Sequence, residues 1–157
     1  MREETLLIVY RKERILLGYK NPGKKFGGKW NGWGGDVKPG ETPEQSILRE
    51  VAEETNGKIQ VETPEKVGEI LFSFETDEQD HRVHIFVASN YTGDLEPTED
   101  FTEYREFPKD NLPEEMMPAD RHWMPYLTQG KLFQGKVFFD RAFKNPIVNL
   151  EEVVDLI

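Results

Sequence analysis

Residues 30–57 read WNGWGGDVKPGETPEQSILREVAEETNG, and the rest of the chain is organised around them. The first half is a glycine-rich loop and the second half an amphipathic helix with clear end signals. Thr42 can cap the helix, Pro43 suits its first position, and Gln45 completes a capping box. Asn56 and Gly57 are the residue types that best take the left-handed conformation that stops it. Between these signals the helical period puts Ile47, Leu48, Val51, Ala52 and Thr55 on one side and Glu50, Glu53 and Glu54 on another. Carboxylates at i, i+3 and i+4 can converge on one hard cation. The competing reading is a solvated charged face. Against it, Glu53 and Glu54 occupy the last turn, where the negative helix end disfavours anions, and only Arg49 stands near to compensate.

Outward from this stretch, Thr5–Tyr10 and Ile15–Tyr19 are short apolar runs, and the RKER between them predicts a hairpin turn. Residues 21–35 have the glycine, proline and lysine content of a loop, yet they carry Phe26, Trp30 and Trp33, so part of the loop is expected to close over something. Downstream, 67–75 and 81–89 predict two longer strands joined by the turn TDEQD, followed by an acidic loop over 90–100. A strand is expected over 101–107, a helix over 120–129 that starts or kinks near Pro125, and a strand over 135–140. The tail from Pro146 fits strand and helix equally. This order of elements predicts one α+β domain over residues 1–157.

Composition narrows the function. A formal net charge of −10 argues against a long nucleic acid partner held by its backbone. Eight basic residues nevertheless fall between positions 11 and 38, Lys20 among them, opposed only by Glu13 and Asp36. That basic segment beside the glycine loop suits a small anion. No apolar run approaches the roughly 20 residues that cross a bilayer, and MREETLLIVY lacks the basic start of a signal peptide. With no cysteine, disulfides, thiol catalysis and thiolate–zinc sites are excluded. The expected location is the cytoplasm. Oligomeric state is not readable at this level.

Gly35, five residues, Glu41, seven residues and then Arg49-Glu50-Val51-Ala52-Glu53-Glu54 resemble the Nudix box at every charged position. The departure is Asn56-Gly57, where that family usually has glycine and an aliphatic residue. The resemblance implies a Nudix fold, a mixed β-sheet sandwiched between α-helices, and hydrolysis of a substituted nucleoside diphosphate. It also implies a set of roles. Glu50, Glu53 and Glu54 would bind magnesium, or manganese in its place, with the carbonyl of Gly34 or Gly35. Glu53 would orient or deprotonate the attacking water, Arg49 would hold the carboxylates, and Glu41 would shape the loop. A further acidic ligand is expected from Glu99 or Asp100, with Asp100 preferred.

The resemblance extends beyond the box. ILLGYK, FGGKWNGWGGDV, VGEILFSF, VHIF and MMPADRHWMPYLTQGKLFQGKVFF are similar to the MutT-like oxidised purine nucleoside triphosphatases (8-oxo-dGTPases) that sanitise the nucleotide pool. By that resemblance Asn31 reads the purine edge, its amide offering both donor and acceptor. Met117-Pro118-Ala119-Asp120 corresponds to a segment with an aromatic stacking residue and two acids, so Met117 offers dispersion contact in place of stacking, and Asp120 is left as the lone acid. An ionised Asp120 would favour the guanine edge, which implies a preference for 8-oxo-dGTP over 2-oxo-dATP. Phe72, Phe74 and Phe139 match pocket positions, and Thr5 and Lys20 match positions near the base and the loop. The rival readings are ADP-ribose, dinucleoside polyphosphates or nucleoside triphosphates in general, and a Nudix-like binding module without turnover.

Overall fold

The computed structural model describes residues 1–156. The chain opens with a hairpin of β1 (Arg2–Arg11) and β2 (Arg14–Lys20), both longer than their apolar runs. Lys12 and Glu13 turn the corner with φ of 51° and 60°, the handedness that matches the twist of a two-residue hairpin. The glycine segment is not all loop. It contains the short strands β3 (Trp30–Asn31) and β4 (Trp33–Asp36). Period and propensity missed β4 because it is held by absence of bulk. It pairs with β1 so closely that a Cβ on Gly34 would stand 1.9 Å from the Thr5 carbonyl oxygen.

Helix α1 (Pro43–Glu54) forms as its end signals predict. Thr42 Oγ1 accepts from the Gln45 N–H at 3.1 Å, and Gln45 Oε1 accepts from the Thr42 N–H at 2.9 Å. Thr55 is the C-terminal cap, and Asn56 and Gly57 then take φ of 52° and 74°. The next pair of strands, β5 (Gln60–Val61) and a later partner β8 (Tyr91–Thr92), forms a small separate ladder. Between them run β6 (Glu65–Phe74) and β7 (Asp77–Ala88), which shrink the expected TDEQD turn to Glu75 and Thr76. The remainder is β9 (Phe101–Pro108), α2 (Asp120–Thr128), β10 (Leu132–Phe139) and β11 (Ile147–Val153). Pro125 lies inside α2 and neither starts nor ends it. The tail that composition could not decide is a strand, fixed by antiparallel pairing with β10.

The main sheet runs β11-β10-β6-β7-β1-β2-β3, with β4 added beside β1 and β9 beside β2. It is mixed, because β1–β7 and β6–β10 pair in parallel while the other neighbours are antiparallel. Its two faces carry two cores. Leu7, Val9, Phe86 and Ala88 pack with Ile47 and Val51 of α1. Ile8, Ile70, Ile85 and Phe133 pack with Trp123, Met124 and Leu127 of α2. This is the expected α+β arrangement of a mixed sheet between helices. Among the described residues, no helix is long and apolar enough to cross a membrane.

Candidate active site

Arg49 is the hub of the acidic face of α1. Its Nε and Nη2 grip both oxygens of Glu41 at 2.9 and 2.7 Å, and Nη2 also donates to the Asp36 carbonyl at 2.9 Å. Nη1 reaches Glu50 at 2.9 Å and Glu53 at 3.1 Å. This fork anchors the loop to the helix with charge-assisted bonds. Beside it the Glu41 carboxyl is held down at about 2, first by the Arg49 hydrogen bonds and next by the Lys38 N–H, while Arg49 itself is pushed further above its usual range.

The glutamates behave differently from one another. Glu53 is exposed and bonded to Arg49, with Lys38 Nζ at 3.9 Å. Glu50 lies against Gly35, where a Cβ would meet its carboxylate oxygen at 2.6 Å. Glu54 accepts the Gly34 N–H at 2.8 Å. The expected convergence of all three on one point is therefore not how the side chains stand. Among the described residues, no three acidic, histidine or cysteine side chains form a ready coordinating set. The reason is local: Arg49 and the Gly34 N–H are nearer donors, and like charges separate.

The residues nevertheless fit a hard divalent cation. Burial raises the Glu50 carboxyl above the ordinary range against the pull of Arg49. Glu54 is pushed up to about 8, mainly by burial, with the charges of Glu50 and Asp100 adding to it and the Gly34 N–H and Lys20 opposing. Two carboxyls this reluctant to ionise, facing each other across a glycine pair that leaves room, gain most from an added positive charge. The Asp100 charge is felt at Glu54, and Lys24 Nζ lies 3.8 Å from the same carboxylate. Glu99 instead points outward and pairs with Lys24 at 3.1 Å.

Next to this cluster a cavity of about 200 Å³ opens on the α2 face of the sheet. Thr5, Lys20, Asn31, Phe72, Phe74, Met117 and Asp120 line it, and so do Gly34, Gly35 and Glu54. Widely separated segments are thus brought to one place, with the acidic cluster at the cavity's side. Phe139, expected in the wall, stands behind it: it is buried and stacks on Phe72 and Phe74 at 6.3 and 5.5 Å. Thr5 faces two ways, its hydroxyl lying 3.4 Å from both the Gly35 carbonyl and Ser46 Oγ.

Two polar groups stand out in the cavity. Asn31 Oδ1 accepts from the Gly32 N–H at 2.9 Å, which turns the Nδ2 end of the amide to the other side. Asp120 is 5% exposed. Its Oδ1 accepts from Trp123 Nε1–H at 3.1 Å, while Oδ2 is buried with no partner in the protein. Burial pushes this carboxyl up to about 7, against the Trp123 hydrogen bond and the Arg121 charge. A buried polar atom without a partner is uncommon and marks a place for a ligand group.

Sequence reasoning missed part of the lining. Glu4, His81, Phe101 and Trp123 also face the cavity, as does Phe26 of the loop expected to close over something. His81 is clamped between Glu4 at 2.5 Å and Asp77 at 2.9 Å, so one hydrogen-bonded unit ties β1 to the β6–β7 hairpin. Strand alternation could place His81 beside Val83 and Ile85, but only the parallel β1–β7 pairing brings Glu4 to it. A larger open groove of about 460 Å³ lies on the other face, lined by Glu69, Arg82, Gln134 and Lys136 among others. Within it Arg82 lies 3.9 Å from Glu69, and the Gln134 amide donates to Glu151 at 2.9 Å.

Comparison with known proteins agrees with this geometry. The family model described as NUDIX domain matches residues 2–127. A Danio rerio protein named oxidized purine nucleoside triphosphate hydrolase is 43% identical over 97% of this chain and 96% of its own. A Mus musculus protein of the same name is 39% identical over 86% and 85%. Among solved structures, a MutT protein from Bacillus halodurans shares the fold at a TM-score of 0.78 and 21% identity, covering 99% of this chain and 100% of that one. With the arginine-anchored glutamate helix, the paired glycines and a match across most of its length, the chain belongs to the Nudix family.

Proposed function

We propose that this protein hydrolyses oxidised purine nucleoside triphosphates, with 8-oxo-dGTP preferred, to the nucleoside monophosphate and pyrophosphate. The observation that carries the reading is one cavity with Asn31 and the half-satisfied Asp120 in its wall and the Glu50–Glu54 cluster at its side. The names of the vertebrate relatives support the same substrate class. A guanine-type edge offers an oxygen acceptor beside two N–H donors. The Asn31 amide N–H suits the first, and an ionised Asp120 suits the other two. Donors arriving at Oδ2 favour the anion, so such a ligand itself helps Asp120 to ionise. An adenine-type edge sets a lone pair against that carboxylate and is discriminated against.

Glu50, Glu53, Glu54 and Asp100, with the carbonyl of Gly34 or Gly35, would hold magnesium, or manganese in its place. A bound divalent ion supplies neutralisation of the phosphate charge and a more acidic water. The chain's own groups do the positioning. Arg49 fixes the helix face against the loop, Lys20 meets phosphate charge near Glu54, and Glu53, the most accessible carboxylate of the three, orients or deprotonates the attacking water. Both cores share one sheet, which supports reading residues 1–157 as a single domain. We place its work in the cytoplasm, acting on a free nucleotide with no long nucleic acid and no membrane as partner.

The test is a magnesium-dependent screen of 8-oxo-dGTP, dGTP, 2-oxo-dATP, ADP-ribose and diadenosine polyphosphates, with products identified. Fastest turnover of 8-oxo-dGTP with pyrophosphate release is the expected result. Orthophosphate release, or faster turnover of ADP-ribose or a dinucleotide, would reject the reading. Glu53→Gln should lose turnover; if it stayed active while Glu54→Gln did not, the assignment of the base would be wrong.

A further inference from the structure

Phe143 lies between β10 and β11, beyond the residues that the family model matches. Its φ is 58°, and so is that of Phe26 in the loop after β2. Bulky residues rarely take this conformation unless their surroundings hold them in it. The surroundings here are other rings. Phe26 and Phe143 stack with centroids 5.7 Å apart and planes 13° apart. Phe143 stacks in turn on Phe139 at 4.3 Å and on Phe74 at 5.9 Å. The far side of the ladder is therefore the cavity wall itself.

The Phe143 loop is pinned on its N-terminal side. Asp140 Oδ1 accepts from the N–H groups of Ala142 and Phe143 at 3.0 and 3.2 Å, and the Arg141 N–H donates to Glu75 at 2.8 Å. The Phe26 loop is closed by its own turns, the Gly27 and Gly28 N–H groups donating to the Lys24 and Lys20 carbonyls at 2.9 Å, but the Phe26 ring itself reaches outward. Phe26 is 39% exposed, it lines the cavity, and Phe143 is its one aromatic partner among the described residues. Phe143 is the inner ring of the ladder, stacked on Phe139 and Phe74, and Phe26 is the outer ring that ends it.

We propose that Phe143 is a positioning residue for nucleotide binding, holding Phe26 over the mouth of the cavity. The inference rests on the reading above that the cavity takes the base. The clasp presents flat apolar surface and no edge-reading group, so it adds affinity for any purine ring and leaves the choice among purines to Asn31 and Asp120. Phe143 acts through its ring neighbours, so its loss is read in binding before the chemical step.

Steady-state kinetics and proteolysis test this separately. Phe143→Ala should raise KM for 8-oxo-dGTP and for dGTP by the same factor, about five- to tenfold for one lost ring pair, with kcat within about twofold. Phe143→Tyr should restore KM. Phe26→Ala should raise KM as well, and the double variant should be no worse than Phe26→Ala alone. Additive effects in the double variant, an unchanged KM in Phe143→Ala, or a fall in kcat without a rise in KM would overturn the proposal. Trypsin cleavage after Lys24 and Lys25 gives a readout that needs no substrate. Phe143→Ala should be cut there faster than wild type at equal global stability, and equal rates would overturn the clasp. If wild type turned over no nucleotide while the protease result held, the functional reading would fail and the clasp would stand.

Discussion

Replacing Asp120 with asparagine should make the protein more stable, and by an amount that depends on pH. The carboxylate is buried with one oxygen satisfied by Trp123 and the other by nothing in the chain. Its proton is held up to about 7, against an ordinary value of 3.8. The folded state therefore binds more protons than the unfolded state between those two values, and stability contributed by the protonated group falls as pH rises through that window. Below pH 4 the penalty is absent; above pH 7 it is complete. A displacement of this size corresponds to on the order of 4 kcal/mol, or roughly 10 °C in Tm for a chain of this length. The asparagine side chain would keep an acceptor for Trp123 and could not ionise. The assay is thermal unfolding of both proteins from pH 4 to 8.5 without nucleotide. The difference in Tm between Asp120→Asn and wild type should be small at pH 4, grow between pH 4 and 7, and level off above that. A difference that stays constant with pH would refute the argument. A gain in stability with a loss of nucleotide selection would identify Asp120 as a group kept for binding at the expense of stability.

Two further outcomes follow from the glycines and the arginine. Gly35→Ala puts a Cβ 2.6 Å from the Glu50 carboxylate, the movable end of a side chain, so kcat should fall about 100-fold while Tm shifts little; Gly34→Ala puts it 1.9 Å from the backbone of Thr5, so it should unfold the protein at lower temperature instead. Kinetics and a melting curve on both variants separate the two roles. Arg49→Lys keeps the charge but cannot span Glu41, Asp36 and Glu50 together, so kcat should fall at least about tenfold; a near-normal kcat would show that the fork is dispensable.

How much of this could be read from the residues depends on the range of the interactions. Helix α1 was legible from end to end because a capping box, a left-handed stop and a helical period are all local. The expected strands were found, and the pairing lengthened them: β7 starts at Asp77, where polar residues gave no alternating signal. Strand β4 was hidden because its pairing rests on two glycines, which have no propensity to announce it. That Asn31 and Asp120 line one cavity was legible by resemblance alone, and the unpartnered Oδ2 became visible with the packing of Trp123. Phe139, matched to the pocket by resemblance, stacks behind Phe72 and Phe74, a depth that no residue pattern encodes. The Glu4–His81–Asp77 unit and the Phe26–Phe143 pair each join segments that meet across the sheet, and neither carries a spacing that would reveal it.

The most direct test of the account is the ratio of kcat/KM for 8-oxo-dGTP to that for 2-oxo-dATP, measured in wild type and in the Asn31→Ala, Asp120→Ala double variant. If α1 supplies the reaction and these two side chains supply the selection, wild type favours 8-oxo-dGTP and the double variant loses that preference while magnesium-dependent hydrolysis persists at a lower rate. An unchanged ratio in the double variant, or equal use of both nucleotides by wild type, would contradict it.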